Sequence, residues 1–336
     1  MVMELVQSIG EIGARFLEMR ISHPLSDDAF KQFDLMRETK RRSKPDTEQP
    51  GGTFFADSAY GKSTIVRMYL ETRVVDDCLA RRLFREGTPR DVVLKEQKLV
   101  IYVSLPPATK MKALVRRLLR ALGDPRPGNG DLEDQIERAK LLMLKHGTEL
   151  LIIDEIDHLR VPQPKSVSRK DEANSVQNHL KDLLIAGIPI MFVGIPEAKA
   201  KLFNERQIGR RSFRNVKSDV LKYEDDVHFQ LILGFCADLG IILQEKGIMR
   251  DRSDFISGDT LPCLFEAGGK LLGGIVKVVW RAAEIAFEEY ASSVTRAHLL
   301  AATDDASVPF YCTYNPFREG TRSVGSVRGV DLDVAC

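Results

Sequence analysis

One short segment places the tightest constraint on the fold. Residues 56–63 read Ala-Asp-Ser-Ala-Tyr-Gly-Lys-Ser, and they lie between an apolar stretch at 53–55 and a helical pattern at 62–73. This order matches the pattern GxxxxGK[ST], with Ala56 in place of the first glycine. A loop between a strand and a helix directs backbone N–H groups and the positive helix end at phosphate oxygens. The segment therefore predicts an α/β fold with a nucleotide-phosphate site.

The residues of this loop have separate expected roles. Gly61 allows close backbone approach, Lys62 brings positive charge to the outer phosphates of ATP, and Ser63 offers a hydroxyl to Mg²⁺. Ala56 is expected to weaken the match slightly, because alanine tolerates unusual backbone angles less well than glycine. The alternative is that Gly61-Lys62-Ser63 occurs by chance in a turn that binds no phosphate. The predicted phosphate-binding residues are Ala56, Asp57, Ser58, Ala59, Tyr60, Gly61, Lys62, Ser63 and Thr64.

A second motif lies about 90 residues further along the chain. The apolar residues 150–153 are followed by Asp154 and Glu155. Asp154 is expected to hold Mg²⁺ through water, and Glu155 to orient or deprotonate the attacking water. Alone this pattern could be a strand with a solvated acidic turn. Because ligands bind at the carboxyl ends of parallel strands, the two motifs together predict one ATP site.

The apolar pattern predicts the fold class. Stretches at 53–55, 99–103, 150–153 and 188–194 are apolar on both faces and alternate with helical patterns, which indicates an α/β parallel sheet covered by helices on both faces. After about residue 222 only helical patterns follow, so a small all-α lid is expected. The predicted segments are an N-terminal helical extension and linker at 1–50, a core at 51–222, a lid at 223–305 and a tail at 306–336, mobile after about residue 318.

Composition excludes several classes of protein. The 49 basic and 48 acidic residues leave a net charge of +1, so any DNA binding must come from a local patch. The five cysteines form no CxxC pair, which argues against a zinc site or a disulfide framework. No apolar run approaches a membrane span, and no basic leader precedes the first apolar residues. We therefore expect a cytoplasmic protein without a membrane partner.

Longer motifs resemble a known family. Residues 150–159 read LLIIDEIDHL, residues 176–183 read VQNHLKDL, residues 188–198 read IPIMFVGIPEA, and residues 315–317 read NPF. This succession resembles the TniB/TnsC family of AAA+ ATPases, the target-selection regulators of DNA transposons. The resemblance implies a P-loop AAA+ domain and a homo-oligomer, ring or helical filament, on double-stranded DNA. It also implies recruitment of a DDE transposase, recruitment by a TniQ-type target-selection protein, and disassembly after ATP hydrolysis.

The resemblance also implies roles for residues outside the two motifs. Residues 207–213 (QIGRRSF) resemble the segment that offers an arginine finger to the neighbouring subunit, with Arg210 or Arg211 as the finger. Lys277 stands at the sensor 2 position, where lysine keeps the charge of arginine but loses its bidentate fork. Sensor 1 would fall at 194–197, where the expected polar residue is missing.

Basic residues follow two of the predicted strands and could contact DNA. The candidates are Lys110, Lys112 and Arg116 after the strand at 99–103, and Arg160 after the strand at 150–153. Repeated in each subunit, such cations would bind phosphates without reading bases. The alternative is that they belong to ordinary solvated surfaces.

Three other functions fit parts of the pattern. A different AAA+ DNA-associated switch, of the initiator or clamp-loader type, would be expected to carry a winged-helix module of about 80 residues, whereas about 30 follow the lid. A nucleotide-binding adaptor with little hydrolysis fits the atypical sensor positions. A small-molecule kinase fits least, because the acidic pair and the lid favour hydrolysis.

Overall fold

The computed structural model describes residues 4–45, 47–160, 178–202, 212–218, 220–308 and 310–323. Its contacts divide the chain into two compact units. The sheet unit comprises Leu25–Ser58 and Lys62–Ser218, and the helical unit comprises Met1–Pro24, Ala59–Gly61 and Asp219–Cys336. The units divide the chain after residues 24 and 218, so the predicted N-terminal segment 1–50 contributes to both units.

The core of the sheet unit is a parallel sheet with the strand order β2-β3-β4-β1-β5. Its strands are β1 (Gly51–Phe55), β2 (Val100–Ser104), β3 (Leu150–Asp154), β4 (Ile190–Gly194) and β5 (Ser212–Asn215). Every residue of β3 and β4 is buried, so helices cover both faces. This confirms the predicted fold class. The short edge strand β5 was not predicted.

Helices surround this sheet. They are α2 (Pro24–Arg42), α3 (Lys62–Tyr69), α4 (Val75–Ala80), α5 (Arg90–Glu96), α6 (Met111–Ala121), α7 (Leu132–His146), α8 (178–185 in the described part) and α9 (Glu197–Leu202). A π-helical turn, Leu70–Val74, joins α3 to α4, so the helix predicted at 62–73 continues to residue 80. On α6, residues spaced three or four apart, such as Leu114 and Leu118, bury one face in the core.

A buried ion network ties α2 to the start of β3. Arg37 is 2% exposed and Glu149 is 3% exposed. The Arg37 guanidinium donates to Glu149 Oε2 at 2.9 Å, to Asp77 Oδ2 at 2.5 Å and to Tyr69 Oη at 3.1 Å. Arg81 Nη1 donates to Glu149 Oε1 at 2.6 Å. The helix α2 ends at Arg42, within the segment 1–50 that was predicted as a helical extension and linker.

The helical unit is built from α1 (Ile9–Glu18), α10 (Asp226–Glu245), α11 (Thr260–Ala267), α12 (Leu272–Glu288), α13 (Arg296–Ala306) and α14 (Pro316–Glu319). The Phe16 ring of α1 stacks on Trp280 of α12 with centroids 5.4 Å apart. Among the described helices, α10 is long and apolar enough to cross a membrane by length and composition. Its residues Ile232, Cys236 and Leu239 are fully buried, as in the core helix of a globular unit.

The NPF segment, residues 315–317, packs into the helical unit. Asn315 caps α14 by accepting from the Phe317 N–H at 3.0 Å, and Phe317 is 3% exposed. The chain remains bonded beyond residue 318, because the backbone N–H of Arg322 donates to Glu266 Oε2 at 3.1 Å. The described part of the predicted tail is thus hydrogen-bonded to α11 as far as Ser323, and residues 324–336 lie outside the described residues.

Candidate nucleotide-binding site

The loop predicted to bind phosphates joins β1 to α3. Its unusual backbone angles fall at Ala59, with φ 63°, and at Gly61, with φ 96°. Ala56 does not have a positive φ; it is 2% exposed, and its N–H donates to Gly194 O at 3.1 Å. The expectation that alanine weakens the loop here is therefore wrong, since residue 56 has ordinary backbone geometry.

Lys62 closes over the loop in this structure. Its Nζ donates to the carbonyl oxygens of Ala56 at 2.6 Å and Asp57 at 2.9 Å, and the residue is 7% exposed. Burial lowers the pKa of Lys62, and the nearby carboxylates of Glu155 and Asp154 oppose that shift. A desolvated ammonium at the mouth of the loop can exchange these carbonyl oxygens for phosphate oxygens.

The end of β3 meets the start of α3 at Asp154. Ser63 Oγ donates to Asp154 Oδ2 at 2.6 Å, and Tyr102 Oη donates to the same oxygen at 2.8 Å. The backbone N–H of Glu155 donates to Asp154 Oδ1 at 2.8 Å. The hydroxyl and the carboxylate are hard oxygen donors on adjacent elements, which fits Mg²⁺ bound with part of its water shell.

Glu155 has a backbone conformation that is rare for a non-glycine residue. Its φ and ψ are 54° and 42°, in the left-handed region, and it precedes a 3₁₀ turn at Ile156–His158. Burial raises the pKa of Glu155, and the neighbouring Asp154 and Asp157 carboxylates raise it further. Its carboxylate is thus a stronger base than that of an exposed glutamate, which suits the predicted role on the attacking water.

The 3₁₀ turn at Ile156–His158 packs closely against Gly194, the first residue of the segment where sensor 1 was expected. A Cβ on Gly194, at the end of β4, would lie 2.9 Å from Asp157 Oδ1 and 2.9 Å from Ile156 Cγ2. The Ile195 N–H donates to Asp157 Oδ1 over a long 3.4 Å. Sequence reasoning missed Asp157; a glycine at the end of an apolar strand is the signal that marks such a close approach.

Known proteins share this architecture. Residues 46–202 match the family model described as an AAA domain. The ORC1 protein of Aeropyrum pernix, solved in complex with DNA, superposes with a TM-score of 0.55 at 13% identity, covering 85% of this chain and 66% of that one. The protein has an AAA+ fold.

Other solved structures agree at the level of the fold. CDC6P from Pyrobaculum aerophilum has a TM-score of 0.56 at 13% identity, covering 85% of this chain and 68% of that one. The ORC2 protein of Aeropyrum pernix, solved with ADPNP and ADP, has a TM-score of 0.56 at 12% identity, covering 82% of this chain and 67% of that one. The chain thus spans about two thirds of these proteins' own length, and identities this low establish the fold alone. No curated protein matches the chain significantly.

Two of the predicted DNA-contacting residues, Lys110 and Arg160, lie in loops that are hydrogen-bonded to each other. The Thr109 N–H donates to His158 O at 3.0 Å, and the Arg160 N–H donates to Thr109 O at 2.8 Å. This parallel bridge joins the loops after β2 and β3, so Lys110 and Arg160 are exposed neighbours. Half-buried Lys112 follows in the first turn of α6.

Among the described residues, none of these cations has a carboxylate oxygen within 4.0 Å. Within the described ranges, no ion pair involves Lys110, Lys112 or Arg160, nor Arg116, one turn further along α6. By contrast, Arg138 on the neighbouring α7 is paired with Asp124 at 3.0 Å. We call these four cations the basic rim; Lys110 and Arg160 are exposed, and Lys112 and Arg116 are half-buried.

Three further residues were predicted to act at the nucleotide site. Lys277 is on α12 in the helical unit, where its Nζ donates to Tyr311 Oη at 2.7 Å and lies 5.3 Å from that ring's centroid. Its contact with nucleotide stays a prediction. Arg210 and Arg211 lie outside the described residues.

Proposed function

We propose that this protein is an ATPase that binds ATP and Mg²⁺ through residues 56–64 and the end of β3. The observation that carries the proposal is the convergence of Lys62, Ser63, Asp154 and Glu155 on one place in an AAA+ fold. Lys62 would turn from the loop carbonyls to the outer phosphates. Ser63 and Asp154 would hold Mg²⁺, which neutralises phosphate charge.

Glu155 completes this proposed site. It would orient a water in line with the terminal phosphate and accept its proton. Hydrolysis is proposed to be slow and switch-like. Arg210 or Arg211 of a neighbouring subunit would supply the remaining charge on the transferring phosphoryl group, and Lys277 would contribute from the lid.

We propose that double-stranded DNA is the macromolecular partner. The basic rim supports this, because unpaired cations at a near-neutral chain's surface are suited to phosphate contacts. Repetition of the rim in a homo-oligomer, as a ring or helical filament, would add such contacts along the duplex. These contacts position the protein without reading base sequence.

We further propose that this DNA-binding ATPase regulates DNA transposition in the cytoplasm. The motifs at 150–159, 188–198 and 315–317 support this role through their resemblance to TniB/TnsC proteins. ATP would favour the DNA-bound oligomer, which would link a TniQ-type target-selection protein to a DDE transposase. ATP hydrolysis would disassemble the oligomer.

The fold similarity to ORC1 and CDC6P favours a second candidate, an initiator-type switch. The two candidates differ in DNA sequence dependence. A target-selection regulator should bind unrelated duplexes with equal affinity, whereas an initiator should prefer particular sites by a large factor.

The DNA-binding proposal is tested by fluorescence anisotropy with a labelled duplex and a non-hydrolysable ATP analogue. Lys110→Glu/Lys112→Glu is expected to weaken binding and to lower the slope of log affinity against log salt by about 2, since each phosphate contact contributes about 0.9. Lys95→Glu/Lys145→Glu carries the same charge change at exposed positions away from the rim. Equal loss in both pairs would show that net charge, and not the basic rim, determines DNA affinity.

A further inference from the structure

The carboxylate of Asp154, at the end of the Walker B strand β3, has more hydrogen-bond donors than the two motifs account for. Asp154 is fully buried, and a carboxylate has about four lone-pair positions on its two oxygens. Ser63 Oγ and Tyr102 Oη both donate to Oδ2, while the Glu155 N–H donates to Oδ1. Ser63 would leave Oδ2 if it turned to Mg²⁺. The donors that remain on Asp154 are then one backbone N–H and the Tyr102 hydroxyl.

Tyr102 is placed by the sheet and not by either motif. It lies on β2 beside β3, in a register that pairs Tyr102 with Ile152 and Ser104 with Asp154. Its hydroxyl therefore reaches two residue pairs further along the neighbouring strand, to Asp154. Tyr102 Oη lies 2.8 Å from Asp154 Oδ2, and a phenol hydroxyl keeps its proton near neutral pH, so the hydroxyl donates to this oxygen.

We propose that Tyr102 is a positioning residue that fixes the Asp154 carboxylate for Mg²⁺. This inference rests on the proposed ATPase function. Two permanent donors, one on each oxygen, leave two lone-pair positions for the water shell of Mg²⁺ and prevent rotation of the carboxylate. Groups that orient metal-binding carboxylates in this way commonly contribute 10–100-fold to metal affinity.

The proposal is tested with Tyr102→Phe, which removes the hydroxyl and keeps the ring. The probe is Mn²⁺, followed by electron paramagnetic resonance in the presence of a non-hydrolysable ATP analogue. Tyr102→Phe is expected to raise the Kd for Mn²⁺ by about tenfold or more. Affinity for the analogue in EDTA should stay unchanged, which also shows that the site is folded.

Tyr69→Phe is the matched control. Tyr69 is a second tyrosine of the sheet unit whose hydroxyl donates to an aspartate, Asp34 Oδ1, at 2.6 Å. Its hydroxyl also accepts from Arg37, but Arg37 keeps Glu149 and Asp77 when that hydroxyl is removed. The Tyr69→Phe variant should bind Mn²⁺ with the same Kd as the wild type. An unchanged Mn²⁺ Kd in Tyr102→Phe, or an equal rise in both variants, would overturn the role of Tyr102. A wild type that binds neither nucleotide nor Mn²⁺ would instead overturn the proposed ATPase function, and this inference with it.

Discussion

The buried network around Arg37 allows a quantitative test of how α2 supports the Walker B strand. Arg37 joins α2 to Glu149, the residue that immediately precedes β3. Burial alone would lower the pKa of Arg37, but its contacts with Tyr69, Glu149 and Asp77 outweigh burial and raise that pKa. The guanidinium thus stays charged, and its removal leaves buried carboxylate charge behind.

The expected cost follows from what remains after Arg37→Met. Breaking a buried ion pair by removing one partner typically costs 3–5 kcal/mol. Glu149 would keep Arg81 at 2.6 Å and Arg41 at 3.3 Å, so the lower end applies. We expect the free energy of unfolding of the sheet unit to fall by about 3 kcal/mol.

Hydrogen exchange with mass spectrometry measures this loss at β3 itself. A loss of about 3 kcal/mol corresponds to roughly hundredfold faster exchange of the amides of residues 150–154. Arg42→Met is the control, because its pair with Glu38 is exposed and worth below about 0.5 kcal/mol. Exchange in Arg37→Met within about threefold of the control would refute the reasoning.

Four further predictions concern the nucleotide site. Lys62→Ala should abolish ATP binding and DNA assembly together, measured by calorimetry and anisotropy; DNA assembly with ATP in this variant would break the proposed coupling. Glu155→Gln should keep DNA assembly but slow phosphate release by at least about 100-fold and block disassembly; normal turnover would mean that another group acts on the water. Because the pKa of Glu155 is raised, wild-type turnover should fall with decreasing pH sooner than for an ordinary glutamate. Gly194→Ala should lower kcat by roughly tenfold with little change in nucleotide affinity, since its Cβ would displace Asp157; an unchanged kcat would show that the turn tolerates the shift.

The parts of the site that could be predicted from the sequence are local. The β1–loop–α3 order and the strand at 150–154 rest on contiguous residues whose polarity pattern indicates both the element and its ligand. The bridge between the loops after β2 and β3 was not predicted, because it depends on these two strands being adjacent in the sheet. For the loop and for β3, the residue types and their order along the chain were therefore sufficient.

The missed features depend on contacts between distant residues. Arg37 and Glu149 are separated by 112 positions, and neither residue type indicates burial on its own. The four residues of β5 are too few for a periodic signal, and β5 is identified by its pairing with β1. The bonds from Arg322 to Glu266 likewise hold a segment whose composition is typical of a loose tail.

Ala56 shows how a motif rule can fail locally. The rule expects glycine at the first position of the loop, yet the positive φ angles of this loop are at Ala59 and Gly61. An alanine with an ordinary φ therefore introduces no strain. Backbone angles, and not residue type, decide whether the departure from the pattern matters.

The most direct test of the central claim is electron microscopy of the wild-type protein with duplex DNA, with and without a non-hydrolysable ATP analogue and Mg²⁺. We predict ordered rings or filaments on DNA when analogue and Mg²⁺ are present, and dispersed particles when either nucleotide or DNA is omitted. Dispersed particles under every condition would contradict the proposed ATP-dependent assembly on DNA.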